Sequence, residues 1–355
     1  MYLKDSALHV QEGIPQPEPV SPYLQFKRKK KLTADEYVKG ILTGNRVLLS
    51  QAITLIESTA HEDIVIAGKI IEKCLPYSGN SIRIGITGVP GVGKSTFIES
   101  FGKYLTALGK KLCVLAVDPS SEISKGSILG DKTRMEELSI DPNAFIRPSP
   151  SGLTLGGVAR KTRETIILCE AAGFNVIIIE TVGVGQSETM VKSMVDFFLL
   201  LMLSGAGDEL QGIKRGIMEM ADALIITKAD GDNIAKATAA KALYKSALKL
   251  FPKNENGWEP PVDTCSAFLK ESIANIWNMI QEFEKWTQEN GYFQKHRTEQ
   301  SVKTFFDWMN DLLKENFYAN TKIENDINEI IPAIKTGKLS PYQAGFNLVQ
   351  QYLKT

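Results

Sequence analysis

Histidine, cysteine, net charge and long apolar runs are all scarce in this 355-residue chain, and each shortage closes off a class of function. The three histidines, His9, His61 and His296, are scattered. The four cysteines, Cys74, Cys113, Cys169 and Cys265, are widely spaced, sit mostly among apolar neighbours and form no C-x-x-C pair. No zinc or nickel centre of soft ligands is encoded; the pattern is that of buried thiols in a reducing compartment. Lys plus Arg and Asp plus Glu both number 41, so the basic surplus that drives nucleic-acid binding is lacking. The longest apolar run, 197–203, is too short to span a bilayer, and Met1-Tyr-Leu-Lys-Asp-Ser lacks the apolar stretch of a signal peptide. A soluble cytoplasmic protein without nucleic-acid or membrane partners is expected.

At 43% hydrophobic residues, the chain can bury a full core and carry an additional module. Residues 1–32 read as an arm. Pro15, Pro17, Pro19 and Pro22 precede the basic run Lys27-Arg28-Lys29-Lys30-Lys31, which fits a solvated, flexible segment or a localisation or polyanion signal. Residues 33–78 read as helical, opening with a capping box of Thr33 and Glu36. Across 79–267 short β-rich runs alternate with helices, with strands expected at 82–87, 112–117, 144–146, 176–180, 197–203 and 223–227. Most are continuously apolar, as in a mostly parallel sheet covered by helices on both faces, an α/β fold. Residues 268–355 read as helices, one with Ser340 as its cap and Pro341 in its first turn. There Tyr342, Phe346, Leu348, Val349 and Leu353 recur at helical spacing, which fits either a subdomain packed on the core or an arm that pairs with a second copy.

The most informative string is Gly88-Val89-Pro90-Gly91-Val92-Gly93-Lys94-Ser95-Thr96, which fills every fixed position of G-x-x-x-x-G-K-[ST]. A strand runs into it and a helix over 95–108 is expected to leave it. Glycines let successive N–H groups converge on one anion, the helix N-terminus adds its positive dipole end, and Lys94 reaches the β- and γ-phosphates. Ser95 is the magnesium ligand. The string predicts a bound nucleoside triphosphate with Mg2+.

Hydrolysis needs a strand-terminal acid near the metal, and Val176-Ile-Ile-Ile-Glu180 supplies Glu180. Gly183 lies three residues on, in a glycine-rich segment where its N–H could meet the γ-phosphate. Asp118 follows the strand at 112–117 and faces the ligand crevice. Asp131 could also approach magnesium or could cap a helix near Lys132. In Thr227-Lys228-Ala229-Asp230 the carboxylate can accept two hydrogen bonds from guanine N1 and N2, while the stem of Lys228 lies over the ring or braces the phosphate loop. Guanine is favoured over adenine, with Cys265-Ser266-Ala267 as a second contact through backbone N–H groups.

Taken together these residues resemble the SIMIBI class of P-loop GTPases, in particular the MeaB/ArgK family associated with methylmalonyl-CoA mutase. The resemblance rests also on Val117-Asp-Pro-Ser-Ser121, Gly130-Asp-Lys-Thr-Arg-Met135, Glu180-Thr-Val-Gly-Val-Gly-Gln-Ser187 and Gly205-Ala-Gly-Asp-Glu-Leu-Gln-Gly-Ile-Lys214. It implies that Asp118, Asp131 and Glu180 organise magnesium and the attacking water, and that Gln211 and Lys214 lie in a mobile segment coupling the GTPase to the mutase. By itself 205–214 reads as a plain polar connection. The resemblance further implies a homodimer held by the C-terminal helices, and a chaperone whose GTP cycle gates cofactor loading of an adenosylcobalamin-dependent acyl-CoA mutase. Thr227 stands where the family has asparagine, so one bracing hydrogen bond is lost or is replaced by the hydroxyl. Two rival functions are a nickel metallochaperone, which would need the missing Cys/His cluster, and a kinase or transport ATPase, which Asp230 disfavours.

Overall fold

The computed structural model describes residues 32–117, 135–148, 155–181, 187–205 and 215–354. Asp118, Asp131, Gly183, Gln211, Lys214 and the N-terminal arm up to residue 31 lie outside the described residues. Ala34–Thr355 forms one compact unit.

Seven described strands form one sheet in the order β3-β2-β4-β1-β5-β6-β7. They are β1 (Ile82–Gly88), β2 (Leu112–Val117), β3 (Ala144–Arg147), β4 (Val176–Thr181), β5 (Phe197–Met202), β6 (Ala223–Ile226) and β7 (Val262–Thr264). All six pairings are parallel. Every residue of β4, β5 and β6 is buried, as continuous apolar runs require when helices cover both faces. The six expected strands are all present, and β7 is an addition. It carries Val262 as its one buried residue, too short a run to show a period.

One face is covered by α4 (Lys94–Ala107) and α10 (Lys270–Glu289). Phe97, Ile98, Phe101 and Leu105 of the former meet Ile273, Trp277, Ile280 and Phe283 of the latter in one apolar cluster with the strands. Edge contacts of Phe283 with Phe197 (5.0 Å) and Trp258 (5.4 Å) lock α10 onto the sheet. Truncating such a buried phenylalanine to alanine costs about 3–5 kcal/mol, so this helix is core and not appendage.

The helical preface forms α1 (Ala34–Leu42), α2 (Arg46–Glu57) and α3 (His61–Cys74), packed on α6 (Leu155–Ala171). Asn45 caps α2, its Oδ1 accepting from the N–H groups of Val47 and Leu48. Also described are α5 (Glu136–Ser139), α7 (Ser187–Lys192), α8 (Arg215–Met220) and α9 (Ile234–Leu248). The chain ends in α11 (Tyr292–Ala319), α12 (Thr321–Lys335) and α13 (Pro341–Tyr352). Ser340 does occupy the cap position of α13, although its side chain makes no capping bond. The C-terminal region thus divides. Its first helix packs on the core, while α11 leaves Phe305, Phe306 and Leu313 more than half exposed and α13 leaves Tyr342 and Phe346 so.

Candidate functional site

Ligands of parallel α/β sheets bind outside the carboxyl ends of the strands, and the singled-out residues that are described gather there. Gly88 ends β1 in the centre of the sheet, paired with Leu201 of β5. A Cβ on Gly88 would lie 2.5 Å from the carbonyl oxygen of Leu201, so no other residue fits. Gly93 sits at the cap position of α4 with φ +93°, a left-handed conformation that favours glycine, and α4 has no side-chain cap. The first-turn N–H groups of α4, lacking partners within the helix, therefore face the loop and make an anion site.

Lys94 Nζ donates to Gly88 O at 2.9 Å, folded back over its own loop. Burial lowers its pKa, while the carboxylates of Glu180 and Glu188 act in the opposite sense. Both acids are themselves buried, at 8% and 3% exposure. Glu180 ends up beside β1 and β2, opposite Ile86 and Ala116 in the sheet register. One residue further, the Thr181 hydroxyl donates to Thr87 Oγ1 at 2.8 Å and ties the two strand ends together below the loop. Ser95 and Glu180 offer hard oxygen donors of the kind magnesium takes, next to a phosphate-binding turn, so the donor chemistry fits that ion.

The phosphate loop is braced from β6. Thr227 Oγ1 donates to Val92 O at 2.7 Å, and Lys228 Nζ donates to Gly91 O at 2.9 Å. The hydroxyl of Thr227 therefore supplies a brace of its own, resolving the alternative that the sequence left open. Lys228 is the one described non-glycine residue with a left-handed backbone, φ +57°. Such strain persists where surrounding bonds over-determine it. Here Asn233 Nδ2 donates to Lys228 O at 2.6 Å.

Strand β7 delivers the second contact. Ile226 pairs with Thr264, the Cys265 N–H donates to Ile226 O at 2.8 Å, and the Ala229 N–H donates to Cys265 O at 3.1 Å. Ser266 Oγ then donates to Asp230 Oδ2 at 2.6 Å. The N–H of Ser266 is already engaged by Ser272 Oγ at 3.3 Å, whereas that of Ala267 has no partner among the described residues. Of the two expected N–H contacts, Ala267 is the available one.

These pieces enclose a cavity of about 240 Å³ lined by Val92, Gly93, Thr96, Lys228, Asp230, Ala267 and Phe268, among others. Phe268 was not singled out from the sequence. It stands 81% exposed at the rim, in the same wall as Ala267. Glu188 was likewise missed, because an acid in the first turn of a helix reads as a solvated dipole partner and nothing local signals its burial.

A parallel α/β sheet with a glycine-rich phosphate loop on its central strand, braced from β6, defines a P-loop nucleotide hydrolase. The sequence profile of the methylmalonyl-CoA mutase-associated GTPase family MeaB matches residues 49–322, and the chain belongs to that family. It is 43% identical over 323 residues to the GTPase ArgK of Escherichia coli K12, covering 91% of this chain and 97% of that protein. It is 45% identical over 339 residues to the mitochondrial methylmalonic aciduria type A homolog of Mus musculus, covering 91% of this chain and 80% of the relative. A solved structure of an LAO/AO transport system kinase superposes with a TM-score of 0.71 at 37% identity, covering 92% of this chain and 99% of the other.

Proposed function

We propose that the chain hydrolyses GTP to GDP and phosphate, and that this cycle gates cofactor loading of an adenosylcobalamin-dependent acyl-CoA mutase and protects or reactivates it. The guanine reading is carried by one observation: the braced phosphate loop shares a cavity with the Asp230 carboxylate and the unpartnered N–H of Ala267. A carboxylate and an N–H side by side match guanine's N1–H, N2–H and O6 pattern, which adenine lacks. The mutase reading rests on family membership.

In this reading Lys94 and the N–H groups of residues 91–96 hold the β- and γ-phosphates. Ser95, Asp118, Asp131 and Glu180 would hold magnesium, which when bound would supply charge neutralisation to the phosphates. The acids orient the attacking water; its oxygen bonds to the γ-phosphorus as the bond to the bridging oxygen breaks, a water proton passes to the released phosphate, and GDP leaves. Gly183 senses loss of the γ-phosphate, and Gln211 and Lys214 pass the change to the mutase. No arginine finger is assigned in the chain, so intrinsic turnover is slow and the partner accelerates it. The chain works as a homodimer in the cytoplasm, its second copy covering the apolar residues exposed on α11 and α13.

GTP turnover with and without a cobalamin-dependent mutase tests the reading, alongside calorimetry of GDP binding to wild type and Lys94→Ala. The expected result is stimulation by the mutase and loss of nucleotide binding in the variant. Unchanged binding by Lys94→Ala, or no rate change with any such mutase, would sink it.

A further inference from the structure

A second cleft, of about 340 Å³, opens where α11 crosses α6 and α7, and it shares no lining residue with the nucleotide cavity. Arg160 and Arg163 of α6 form one wall, and Lys303 and Lys314 of α11 form the other. Against these four cations the lining holds two carboxylates, Asp307 and Asp311, a local excess of two positive charges in a chain with none overall.

Glu315, just outside the lining, takes up one of these charges through Arg160 and leaves an excess of one. Arg163 Nη1 donates to Asp307 at 3.0 Å, and Arg160 Nη1 donates to Glu315 at 3.2 Å. The side chains of Lys303, Lys314 and Asp311 have no hydrogen bond or ion pair among the described residues. The Nε–H of both arginines is buried without an acceptor, in side chains only 12% exposed. These two donors lie beneath the cleft surface, so a ligand in the cleft meets the Nη groups and the two lysines instead. The Trp308 ring, held by its Nε1–H on Glu164 at 3.0 Å and covered by Arg160 at 4.7 Å, adds a flat wall beside the cations.

We propose that this cleft binds a small phosphorylated molecule, its phosphate between the α6 arginines and the α11 lysines. The ammonium groups of Lys303 and Lys314 supply charge-assisted donors for a phosphate, beside the partly engaged guanidinium groups of Arg160 and Arg163. The volume lies in the range of small-molecule sites and leaves room beyond one phosphate for an organic part against Trp308 and Met190. Arg163 also donates to Ser193 Oγ at 2.8 Å, which ties the α6 wall of the cleft to the residue that follows α7.

Inorganic pyrophosphate is the probe, titrated by calorimetry into the full chain saturated with GDP, whose phosphate loop is then filled. One saturable site per chain is expected, weakened roughly tenfold or more in Lys303→Ala/Lys314→Ala, each lysine contributing a charge-assisted bond. Lys285→Ala/Lys295→Ala removes the same charge from exposed positions of α10 and α11 and is expected to leave binding unchanged. Nucleotide-free Lys94→Ala, without the phosphate-loop cation, is expected to keep the site, which separates this inference from the GTPase reading. Absence of saturable binding, or equal weakening in both double variants, overturns the proposal. It is also overturned if pyrophosphate does not bind while Lys303→Glu/Lys314→Glu shifts the oligomeric state, since the cleft then seats a second copy.

Discussion

Replacing Arg297 by methionine tests how the C-terminal arm is held to the nucleotide-binding core. Arg297, 10% exposed, forms a two-point fork on Asp196, itself 2% exposed, with Nε to Oδ1 at 2.8 Å and Nη2 to Oδ2 at 2.7 Å. Its remaining donors reach Gly79 O at 2.6 Å and Ser81 O at 2.5 Å, and its face lies over the Phe293 ring at 4.4 Å. Asp196 Oδ2 also accepts from the Arg83 N–H at 2.8 Å. Methionine keeps much of the apolar stem but strands the carboxylate and two carbonyls. Breaking a buried pair from one side costs about 3–5 kcal/mol, a factor of roughly 10² to 10³ or more in the folding equilibrium. Urea unfolding followed by circular dichroism measures this, and Asp196→Asn in the Arg297→Met background should recover part of the loss by removing the stranded charge. The fork stands at the amino ends of β1 and β5, opposite the phosphate loop, so nucleotide affinity of the folded variant should match wild type. A loss under about 1 kcal/mol, the scale of an exposed pair, would refute the reasoning.

Four further outcomes are expected. Asp230→Asn should weaken GDP roughly 10- to 150-fold and improve binding of the xanthine nucleotide, since an amide can meet only one of the two guanine donors; calorimetry showing an unchanged preference would count against the base reading. Phe268→Ala should leave the melting temperature unchanged, the ring being 81% exposed, yet weaken nucleotide binding by about 1–3 kcal/mol of lost stacking, with Phe268→Trp retaining it. Burial would raise the Glu170 carboxyl, but the Arg83 guanidinium and hydrogen bonds from Arg83, Ser81 and Gly79 hold it below its usual value. Its stabilisation is complete above about pH 4.3 and is lost as pH falls through the lower folded value, so acid unfolding of Glu170→Gln should be flatter there. Finally, if the proposed homodimer forms through α11, Phe305→Asp/Phe306→Asp should lower the mass measured by light scattering to that of a monomer; an unchanged mass would remove α11 from the interface.

The strands were legible because burial on both faces writes itself as continuous apolar runs. For β4 the expected 176–180 became Val176–Thr181, and for β5 the expected 197–203 became Phe197–Met202. β7 was not legible, since it is three residues long and follows Pro260 and Pro261. The phosphate loop was readable because its geometry demands glycine at fixed positions, as the 2.5 Å approach at Gly88 shows. The contacts that complete the cavity were harder, because they are made between distant segments. Thr227 to Val92 spans 135 residues, and no local pattern reports it. Arg297 and Asp196 are 101 residues apart, and no local pattern in the sequence pairs them.

The two ends of the sheet do different work, and one short connection joins them. The phosphate loop leaves the carboxyl end of β1, whereas α11 is fixed at the amino ends through Arg297. Between them runs α7, whose first residue follows the glycine-rich segment after Glu180 and whose six residues span about 9 Å at the helical rise. Past α7, arm and core side chains grip the chain at Ser193 through Arg163, at Val195 O through Gln300 Nε2 (2.8 Å), and at Asp196 through Arg297. If loss of the γ-phosphate displaces α7, as the proposed cycle requires, these bonds at its far end would have to lengthen or α11 would have to move with them.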